Sequence, residues 1–382
     1  MILACQNINK AFGTDVILKN ASFHMEDREK AAVVGINGAG KSTLLKIIIG
    51  EMEADSGEVV LAKGKTIGYL AQHQDLNSDH TIYQELLTVK QDVIDLETRI
   101  REIEAQMKEL SGTALDMALE QYTRMNHEFE LKNGYAYKSE VVGVLKGLGF
   151  EEEEFEKHVN KLSGGQKTRV SLGKLLLSHP DLIMLDEPTN HLDMNSIAWL
   201  ETFLLNYDGA VLVVAHDRYF LNRIATKIIE IDAGEVTTFQ GNYSDYAAKK
   251  SQLREARMHA WLNQQREIKH QEEVIQKLKS FNREKSIKRA ESREKMLDKM
   301  DILEKPTEVR SEMHITLEPK VVSGNDVLTV EGLSKSFGSQ TLFSNVDFEI
   351  KRGERVAIIG NNGTGKTTTI NILSGYLKPR SG

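Results

Sequence analysis

Short apolar runs, each followed by glycine, acidic or histidine residues, recur in the first part of the chain. The clearest are Lys30–Val34, Leu182–Asp186 and Ala210–Ala215. Unbroken apolar runs of this length are typical of strands that are buried on both faces of a parallel sheet. A further strand is predicted over Ile67–Gln72, and Leu44–Ile49 has helical spacing. The pattern predicts an α/β fold around a parallel sheet.

Two longer stretches have helical spacing instead. The first is Thr81–Lys132, where Gly112 predicts a turn between two helices. The second, Asn242–Lys305, contains neither glycine nor proline, so a helix can run through it uninterrupted. A single helix of that length would span roughly 96 Å at about 1.5 Å per residue, which favours a folded-back pair. We expect the break between the two helices at Ser280–Ser286.

A repeat connects the two ends of the chain. Ile2–Gly57 aligns with Val327–Gly382 at a constant offset and without gaps. Within the repeat, Gly35–Thr43 corresponds to Gly360–Thr368. Two unrelated segments would not keep register over such a length, so we predict a duplicated domain. The second copy is expected to be incomplete and poorly packed, because most of its sheet is missing.

Composition narrows the class of protein. The chain has 382 residues, 40% hydrophobic and 27% charged, as in globular proteins with two or three domains. No run approaches the roughly 18 apolar residues of a membrane-spanning helix, and the N-terminus has no apolar signal core. The single cysteine, Cys5, cannot form an internal disulfide. We therefore expect a soluble, cytoplasmic protein without a membrane domain. The net charge of −7 argues against a chain that coats nucleic acid along its whole surface.

The strongest chemical motif follows the predicted strand Lys30–Val34 directly. It reads Gly35-Ile-Asn-Gly-Ala-Gly-Lys-Ser42 and leads into a predicted helix. This strand–loop–helix order is the context that identifies a phosphate-binding loop. Its glycines let backbone N–H groups surround phosphates, while Lys41 supplies a cation and Ser42 a hydroxyl ligand for Mg²⁺. The motif recurs as Gly360-Asn-Asn-Gly-Thr-Gly-Lys-Thr367.

Two further motifs would complete such a site. The strand Leu182–Asp186 ends in paired carboxylates, where Asp186 is placed to hold Mg²⁺ and Glu187 to polarise a water molecule. Leu162-Ser-Gly-Gly-Gln166 opens a predicted helix, and the free N–H groups at the positive end of a helix dipole bind anions. Because this anion site has no metal or lysine of its own, it makes sense as a cover for nucleotide bound to the other copy.

These motifs together resemble those of an ATP-binding-cassette (ABC) ATPase. Their order is the phosphate loop, Gln72 after a strand, the Leu-Ser-Gly-Gly-Gln signature, Asp186-Glu187, and His216 after Ala210–Ala215. The likeness narrows to the ABC-F family, and to its bacterial members, through Thr189-Asn-His-Leu-Asp193, Ala215-His-Asp-Arg-Tyr-Phe220 and Gly241-Asn-Tyr-Ser244. That family consists of cytosolic tandem cassettes without membrane domains that act on the ribosome.

The resemblance implies ATP hydrolysis with ATP and Mg²⁺, and a role for each motif residue. Phe12 would stack on adenine, and the catalytic residues would be Glu187, His216, which contacts the γ-phosphate, and Gln72, which approaches Mg²⁺ and the attacking water. The expected ATP-binding residues of the first copy are Phe12, Gly35, Asn37, Gly38, Gly40, Lys41, Ser42, Thr43, Ser163, Gly164, Gly165, Gln166 and Asp186. Those of the second copy are Phe337, Gly360, Asn362, Gly363, Gly365, Lys366, Thr367 and Thr368. The expected metal ligands are Ser42, Gln72, Asp186 and Thr367.

The resemblance also implies a domain organisation. Residues 1–241 would form a complete P-loop ABC ATPase cassette with a helical arm inserted at about 92–133. This cassette would have an antiparallel β subdomain near the N-terminus and a helical subdomain around 81–178. Residues 242–321 would form a charged helical linker between the cassettes, which in this family reaches toward the peptidyl-tRNA. Residues 327–382 would be the N-terminal part of a second, truncated cassette.

The charge distribution favours an RNA contact independently of the resemblance. Over Lys249–Arg310 there are 17 Lys and Arg against 11 Asp and Glu, which gives +6 there and −13 for the rest of the chain. Phosphate backbones bind such basic surfaces with little regard to base sequence. A solvated helix face with ion pairs of mixed sign explains part of the same pattern. The residues expected to contact rRNA or tRNA are Lys285, Lys288, Arg289 and Arg293.

The sequence is compatible with two other functions. The chain could be the nucleotide-binding motor subunit of a membrane ABC transporter, although the basic linker and the fused cassettes argue against it. The chain could also be a structural tether in which ATP only locks a conformation and hydrolysis is incidental. The presence of Glu187 and His216 argues against that function. Because the second copy ends at Gly382, neither site can be completed within one chain. We therefore expect weak activity, through a homodimer formed by the first cassettes. The sequence does not separate a translation factor from a protein that protects ribosomes against antibiotics.

Overall fold

The computed structural model describes residues 1–71, 76, 78–280, 284–301, 303, 305, 324–338, 340–360 and 363–382. Contacts between Cα atoms divide the chain into two compact units. One unit consists of Met1–Tyr243 together with Ser323–Gly382, and the other is Ser244–Val322.

The larger unit is built on two main sheets. Its strands, in chain order, are β1 (Leu3–Phe12), β2 (Asp15–Met25), β3 (Lys30–Val34), β4 (Ser56–Leu61), β5 (Ile67–Leu70), β6 (Leu182–Asp186), β7 (Ala210–Val214), β8 (Lys227–Asp232), β9 (Glu235–Gln240), β10 (Asp326–Phe337) and β11 (Gln340–Lys351). Within the described residues, one sheet has the order β5-β6-β7-β3-β8-β9 and another the order β2-β1-β4. The strands from β5 to β8 in that larger sheet are parallel, and β9 is antiparallel to β8. The predicted α/β fold with a parallel sheet is confirmed, as is the antiparallel subdomain near the N-terminus.

The central strands β3, β6 and β7 are buried along their whole length. Both faces of these strands are covered, which is why their sequences show no alternation of apolar and polar residues. β3 and β6 have the predicted bounds, whereas β7 ends at Val214 and β5 at Leu70, short of the predicted ends. Since these strands are parallel neighbours, the loops that follow β3, β6 and β7 meet at one edge of the sheet.

The helices of the described residues include two hairpins. In chain order they are α1 (Lys41–Ile48), α2 (Ile82–Leu87), α3 (Gln91–Met107), α4 (Thr113–Leu131), α5 (Tyr137–Gly147), α6 (Gly164–Leu177), α7 (Met194–Asn206), α8 (Arg218–Ile224), α9 (Tyr243–Ser280), α10 (Glu284–Asp298) and α11 (Lys366–Leu373). Helix α1 places Leu44 and Leu45 in an apolar cluster to which both main sheets contribute. Cys5 belongs to the same cluster, and burial raises the pKa of its thiol to about 12, so the thiol stays protonated and unreactive.

The first helical hairpin is formed by α3 and α4. Gly112 precedes α4 with a φ of 64°, so the predicted turn at this glycine is confirmed. Two contacts hold the antiparallel pairing. Lys132 Nζ forms an ion pair with Asp92, near the start of α3, at 3.0 Å, and the Tyr122 hydroxyl at the middle of α4 donates to Glu104 at 2.9 Å. A small apolar core lies between the helices and the start of α5; its buried residues are Val93, Leu96, Ile100, Phe129 and Tyr137.

The C-terminal segment repeats the backbone of the N-terminal one only in part. β10 and β11 pair as β1 and β2 do, and α11 corresponds in the repeat to α1. The counterpart of β3, however, has no strand structure among the described residues, and Val356 and Ile359 there are exposed. In the first copy β3 lies between β7 and β8, and no strands pair with residues 355–360 in the described part of the chain. The poor packing expected of the second copy agrees with this exposure.

The smaller unit is a second helical hairpin, made of α9 and α10. Helix α9 ends at Ser280 and α10 begins at Glu284, and residues 281–283, inside the predicted break, lie outside the described residues. The predicted folded-back pair is confirmed by contacts between the two helical segments. Lys279 Nζ contacts Glu294 at 2.6 Å, and Gln264 Nε2 donates to the carbonyl of Asp301 at 2.7 Å. Among the helices of the described residues, none combines the length and the apolar character needed to span a bilayer.

Candidate functional site

The loop between β3 and α1 is wrapped around the ammonium group of Lys41. Its Nζ donates to the carbonyl oxygens of Gly35 at 2.9 Å and Ile36 at 3.1 Å. Gly40 has a φ of 97°, and a Cβ there would lie 2.5 Å from the side chain of Ile17, so both its conformation and its surroundings require glycine. The loop therefore holds the ammonium at its centre. Asn37, Gly38 and Ser42 are exposed, and Thr43 is half-buried.

The loop after β6 turns sharply at Glu187. This residue has a left-handed φ of 53°, and its N–H donates to the carbonyl of Val214 at 2.8 Å. The turn brings Oε1 of Glu187 to 3.4 Å from Nε2 of His216, which follows β7. Burial raises the pKa of Glu187, while the His216 ring, the His216 N–H and Lys41 act to lower it. Glu187 is therefore a partly desolvated carboxylate with the His216 ring beside it and the Lys41 ammonium within electrostatic reach.

Lys41 connects the two loops electrostatically. Burial lowers the pKa of its ammonium, and the nearby carboxylates of Glu187 and Asp186 act to raise it. Asp186 itself is buried at the end of β6. The structure thus brings together four of the predicted residues, Lys41, Asp186, Glu187 and His216, at the edge where the parallel strands end. Crevices at this edge are the usual ligand sites of open α/β sheets.

The predicted metal ligands of the first copy differ in exposure, and one of them is not described. Ser42 is exposed on the first turn of α1, and Asp186 is buried nearby in the sheet. The predicted ligand Gln72 lies outside the described residues. Within the described part of the chain, there is no group of three or more His, Cys, Asp or Glu residues that could hold a metal ion. Mg²⁺ does not need such a group, because it is usually held by one or two protein oxygens together with substrate phosphates and water.

Phe12 stands at the end of β1, where Gly13 turns the chain with a φ of 61°. Its ring is half exposed, with a fractional exposure of 50%. The ammonium of Lys10 lies 5.7 Å from the ring centroid. An exposed aromatic ring with a cation beside it can stack on a flat heterocycle that carries phosphates.

The signature motif forms a capped helix start. The hydroxyl of Ser163 accepts from the N–H of Gln166 at 3.3 Å, and the Gln166 side chain accepts from the N–H of Ser163 at 3.1 Å. This reciprocal pair is a capping box, which the spacing of Ser163 and Gln166 could have predicted. No acidic residue stands in the first turn of α6, so the positive end of the helix has no anion of its own among those residues. Gly164 is exposed and Gly165 is half-buried.

The second copy reproduces the geometry of the first loop. Lys366 Nζ donates to the carbonyl of Gly360 at 2.7 Å, and Gly363 and Gly365 have φ values of 83° and 96°. Phe337 is half exposed, with the ammonium of Lys335 at 5.3 Å from its ring centroid. Thr367 is exposed and Thr368 half-buried, whereas Asn362 lies outside the described residues.

The residues expected to contact RNA all belong to α10. Lys288 and Arg289 are exposed there, and the side chain of Lys285 lies outside the described part. The guanidinium of Arg293 donates to Oε1 of Gln271 on α9. Arg293 therefore takes part in the pairing of the two helices, a role that its position in a basic run did not indicate.

Comparison with known proteins places these motifs in a family. A family model described as ABC transporter matches residues 18–190 and 343–382, and a second model with the same description matches residues 229–316. The chain is 42% identical to the putative ATP-binding protein YdiF of Bacillus subtilis, over 100% of this chain and 59% of that protein. It is 36% identical to ABC transporter F family member 2 of Arabidopsis thaliana, over 99% of this chain and 56% of that protein. It is 32% identical to the energy-dependent translational throttle protein EttA of Mycobacterium tuberculosis, over 100% of this chain and 67% of that protein.

The chain belongs to the ABC-F family. The resemblance inferred from the motifs is confirmed, and with it the fold of the first copy as an ABC ATPase cassette. The first match of the family model covers the phosphate loop and the Asp186-Glu187 pair of this ABC-F chain, and the second covers the repeated loop. The chain spans less than two thirds of the length of the first two relatives named above.

Several residues of this ABC-F chain had no predicted role, yet they lie in the loops at the edge where the parallel strands end. Asp193 caps α7 by accepting from the N–H of Ser196 at 2.8 Å, and Asp217 caps α8 by accepting from the N–H of Tyr219 at 2.8 Å. Their positions before helical runs could have predicted both caps. The ring of His191 lies against Gly165, and no local pattern could have predicted that contact.

Proposed function

We propose that this ABC-F chain binds ATP in its first cassette and hydrolyses it to ADP and phosphate. The observation that carries the proposal is the meeting of Lys41, Asp186, Glu187 and His216 at one edge of the sheet. Phosphate oxygens would take the place of the carbonyls that now surround Lys41 Nζ. The half-exposed ring of Phe12 would stack on the adenine.

Glu187 is the proposed catalytic base. Its carboxylate would orient the water that attacks the γ-phosphate and accept a proton from it, while His216 would contact the γ-phosphate. A general base works best when its pKa lies near the operating pH, and burial raises the pKa of Glu187 in that direction. His216 and Lys41 act against that rise in the pKa of Glu187, which favours the ionised form that a base needs.

The oxygen donors present fit Mg²⁺. The hydroxyl of Ser42 and the carboxylate of Asp186 are hard ligands, and Gln72 is proposed as a further ligand from the resemblance, with Thr367 in the second copy. When bound, the ion would neutralise charge on the phosphates and hold them in line for attack. Ser42 is exposed and Asp186 is buried at the end of β6, and phosphate and water would take the remaining positions around the ion.

The capped start of α6 is proposed to serve nucleotide bound to another cassette. The exposed Gly164 and its neighbours present N–H groups without a cation, which supports a role in closing over phosphates that are already held by a lysine loop. Two first cassettes in a homodimer, or two cassettes of one chain, would both satisfy this arrangement.

We further propose that the protein acts on the ribosome in the cytoplasm, as a translation factor or as a protein that protects ribosomes against antibiotics. Two observations support this. A relative 32% identical over the chain is named a translational throttle protein. The stretch Lys249–Arg310, most of it in the helical hairpin, carries a charge of +6, which suits contact with rRNA or tRNA phosphates.

The experiment compares the protein with its Glu187→Gln variant for ATP binding, phosphate release and cosedimentation with ribosomes. The variant should bind ATP, release no phosphate and remain on ribosomes when ATP is present. Glu153→Gln neutralises an exposed carboxylate away from this edge and is the matched control. Phosphate release that survives Glu187→Gln would contradict the catalytic assignment. Sedimentation with membranes instead of ribosomes would favour a transporter subunit.

A further inference from the structure

The loop between β6 and α7 touches the start of α6 through one imidazole ring. A Cβ placed on Gly165 would lie 3.0 Å from Cγ, 3.1 Å from Cβ and 3.2 Å from Nδ1 of His191. These distances are shorter than ordinary van der Waals contacts, so glycine is the residue that leaves room for the ring. A Cβ on Gly164, one residue earlier, would meet open space. The close contact is therefore specific to Gly165.

The same loop is tied to Glu187 by its own backbone. The N–H of Asn190 donates to the carbonyl of Glu187 at 3.2 Å, and the N–H of Leu192 donates to the carbonyl of Thr189 at 3.3 Å. His191 has a left-handed φ of 70°. Such a conformation is uncommon for a residue with a side chain and persists where the surroundings hold it. Two successive turns thus connect the proposed catalytic carboxylate to the ring that lies on Gly165.

The far end of the loop lies near α6 as well. The carboxylate of Asp193 is close enough to Arg169 to act on the pKa of its guanidinium, which burial lowers and which Glu154 and Asp193 act to raise. A Cβ on Gly149 would lie 3.4 Å from both Asp193 Oδ2 and Arg169 Nη1, which places the two groups around the same point. Gly165 and Arg169 are one helical turn apart on α6. The loop therefore contacts α6 at Gly165 and approaches it again one turn later, near Arg169.

We propose that His191 is a positioning residue for ATP hydrolysis. Its ring supports Gly165 and so holds the N–H groups at the start of α6 in one arrangement relative to the loop that carries Glu187. The inference rests on the proposed function, because both ends of this connection are proposed parts of nucleotide sites. In this role His191 acts on the nucleotide site through Gly165 and not by touching nucleotide or water itself.

The test is a mutant cycle on the complete protein. His191→Ala should lower kcat by on the order of tenfold and leave the KM for ATP and the melting temperature nearly unchanged, since small misplacements of catalytic groups cost rate more than binding. His191→Phe keeps a flat ring and should restore most of the lost rate. Gly165→Ala should lower kcat by crowding the ring, and His191→Ala added to it should recover part of that loss.

Gly164→Ala is the matched control. Any activity that it loses should not be recovered by His191→Ala, because no ring lies over Gly164. Strictly additive effects of His191→Ala and Gly165→Ala, or an unchanged kcat in His191→Ala, would overturn the inference while the proposed function stands. A protein that releases no phosphate at all, before any substitution, would overturn the proposed function and this inference with it.

Discussion

Oε1 of Glu187 lies 3.4 Å from Nε2 of His216, where the loops after two neighbouring parallel strands meet. The register of the sheet accounts for this contact. Asp186, the last residue of β6, is paired with Val214, the last residue of β7. Glu187 and His216 follow these residues closely along the chain, and the N–H of Glu187 donates to the carbonyl of Val214 at 2.8 Å. A carboxylate and an imidazole from distant parts of the sequence are thus held together by strand pairing alone.

The loss of phosphate release at acidic pH, the acidic limb of the pH profile, should depend on the contact between Glu187 and His216. Burial raises the pKa of Glu187, and the proposed base acts only when ionised. Phosphate release should therefore fall as the pH falls through that raised pKa, at a higher pH than for an exposed glutamate of pKa about 4.3. His216 acts to lower the pKa of Glu187, so in His216→Gln the limb should move to higher pH.

The measurement is kcat for phosphate release from acidic to neutral pH. His179→Gln is the matched control, because its ring contacts the carboxylate of Glu140 at 2.6 Å in another part of the unit. A limb that stays in place in His216→Gln, or moves to lower pH, would show that His216 does not tune Glu187.

Much of this site could be predicted from the sequence because its parts are local. The bounds of β3 and β6 follow from unbroken apolar runs, and the turn at Gly112 and the break after Ser280 follow from breakers and length. The phosphate loop is recognisable because glycine, lysine and serine occur at fixed spacing within one strand–loop–helix unit.

What could not be predicted depends on contacts between distant segments. Nothing local to His191 indicates that its ring lies on Gly165, since that contact depends on how α6 and the loop before α7 pack. Arg293 looks like its basic neighbours in sequence, yet it donates to Gln271 of the paired helix. The unbroken run after Gly353 resembles that of β3 but forms no strand, because strand structure needs neighbours as well as apolar residues.

Lys41 should be essential for affinity rather than for folding. Its ammonium is held by two loop carbonyls, which phosphate oxygens would replace. Lys41→Met should weaken ATP binding at least tenfold, about 1.4 kcal/mol, because a charge-assisted contact is lost. Lys46→Met, an exposed lysine in the last turn of the same helix, is the matched control for charge and helix propensity. Titration with a fluorescent ATP analogue measures both, and equal affinities would contradict the role of Lys41.

Charge reversal on α10 should weaken ribosome binding and leave ATP affinity unchanged. Lys288 and Arg289 are exposed there, and a protein that loses phosphate contacts also loses salt dependence. Lys288→Glu with Arg289→Glu should reduce the log–log salt slope by about one unit for each contact removed.

Arg254→Glu with Arg257→Glu changes the charge by the same amount on exposed positions of α9, and it is the matched control. Cosedimentation at several salt concentrations gives affinity and slope together. If both pairs of substitutions weaken ribosome binding equally, the change in overall charge causes the loss, and a specific contact of α10 does not.

The buried ion pair between α2 and α6 makes a prediction about stability. Glu85 is almost fully buried and accepts from Lys174, while His80 Nδ1 lies 3.1 Å from its other oxygen. Burial acts to raise the pKa of Glu85, but hydrogen bonds from Lys174, Ser78 and His80 outweigh it, and the pKa lies below its ordinary value. Lys174→Met should lower the unfolding free energy by about 3 kcal/mol at neutral pH, because it leaves the buried Glu85 carboxylate without its cation.

The pH dependence of that loss separates charge from packing. A carboxyl group with a lowered pKa contributes stability above its unfolded pKa and loses it as the pH falls through the folded value. The difference in unfolding free energy between Lys174→Met and the unmodified protein should therefore shrink as the pH falls below about 4.3. A protonated Glu85 no longer needs the cation. Adding Glu85→Gln to Lys174→Met should recover part of the loss at neutral pH, whereas Lys167→Met, on the same helix but outside the pair, should change stability little. Urea unfolding at each pH measures all of these, and a loss independent of pH would mean that Lys174 stabilises α6 through its alkyl chain alone.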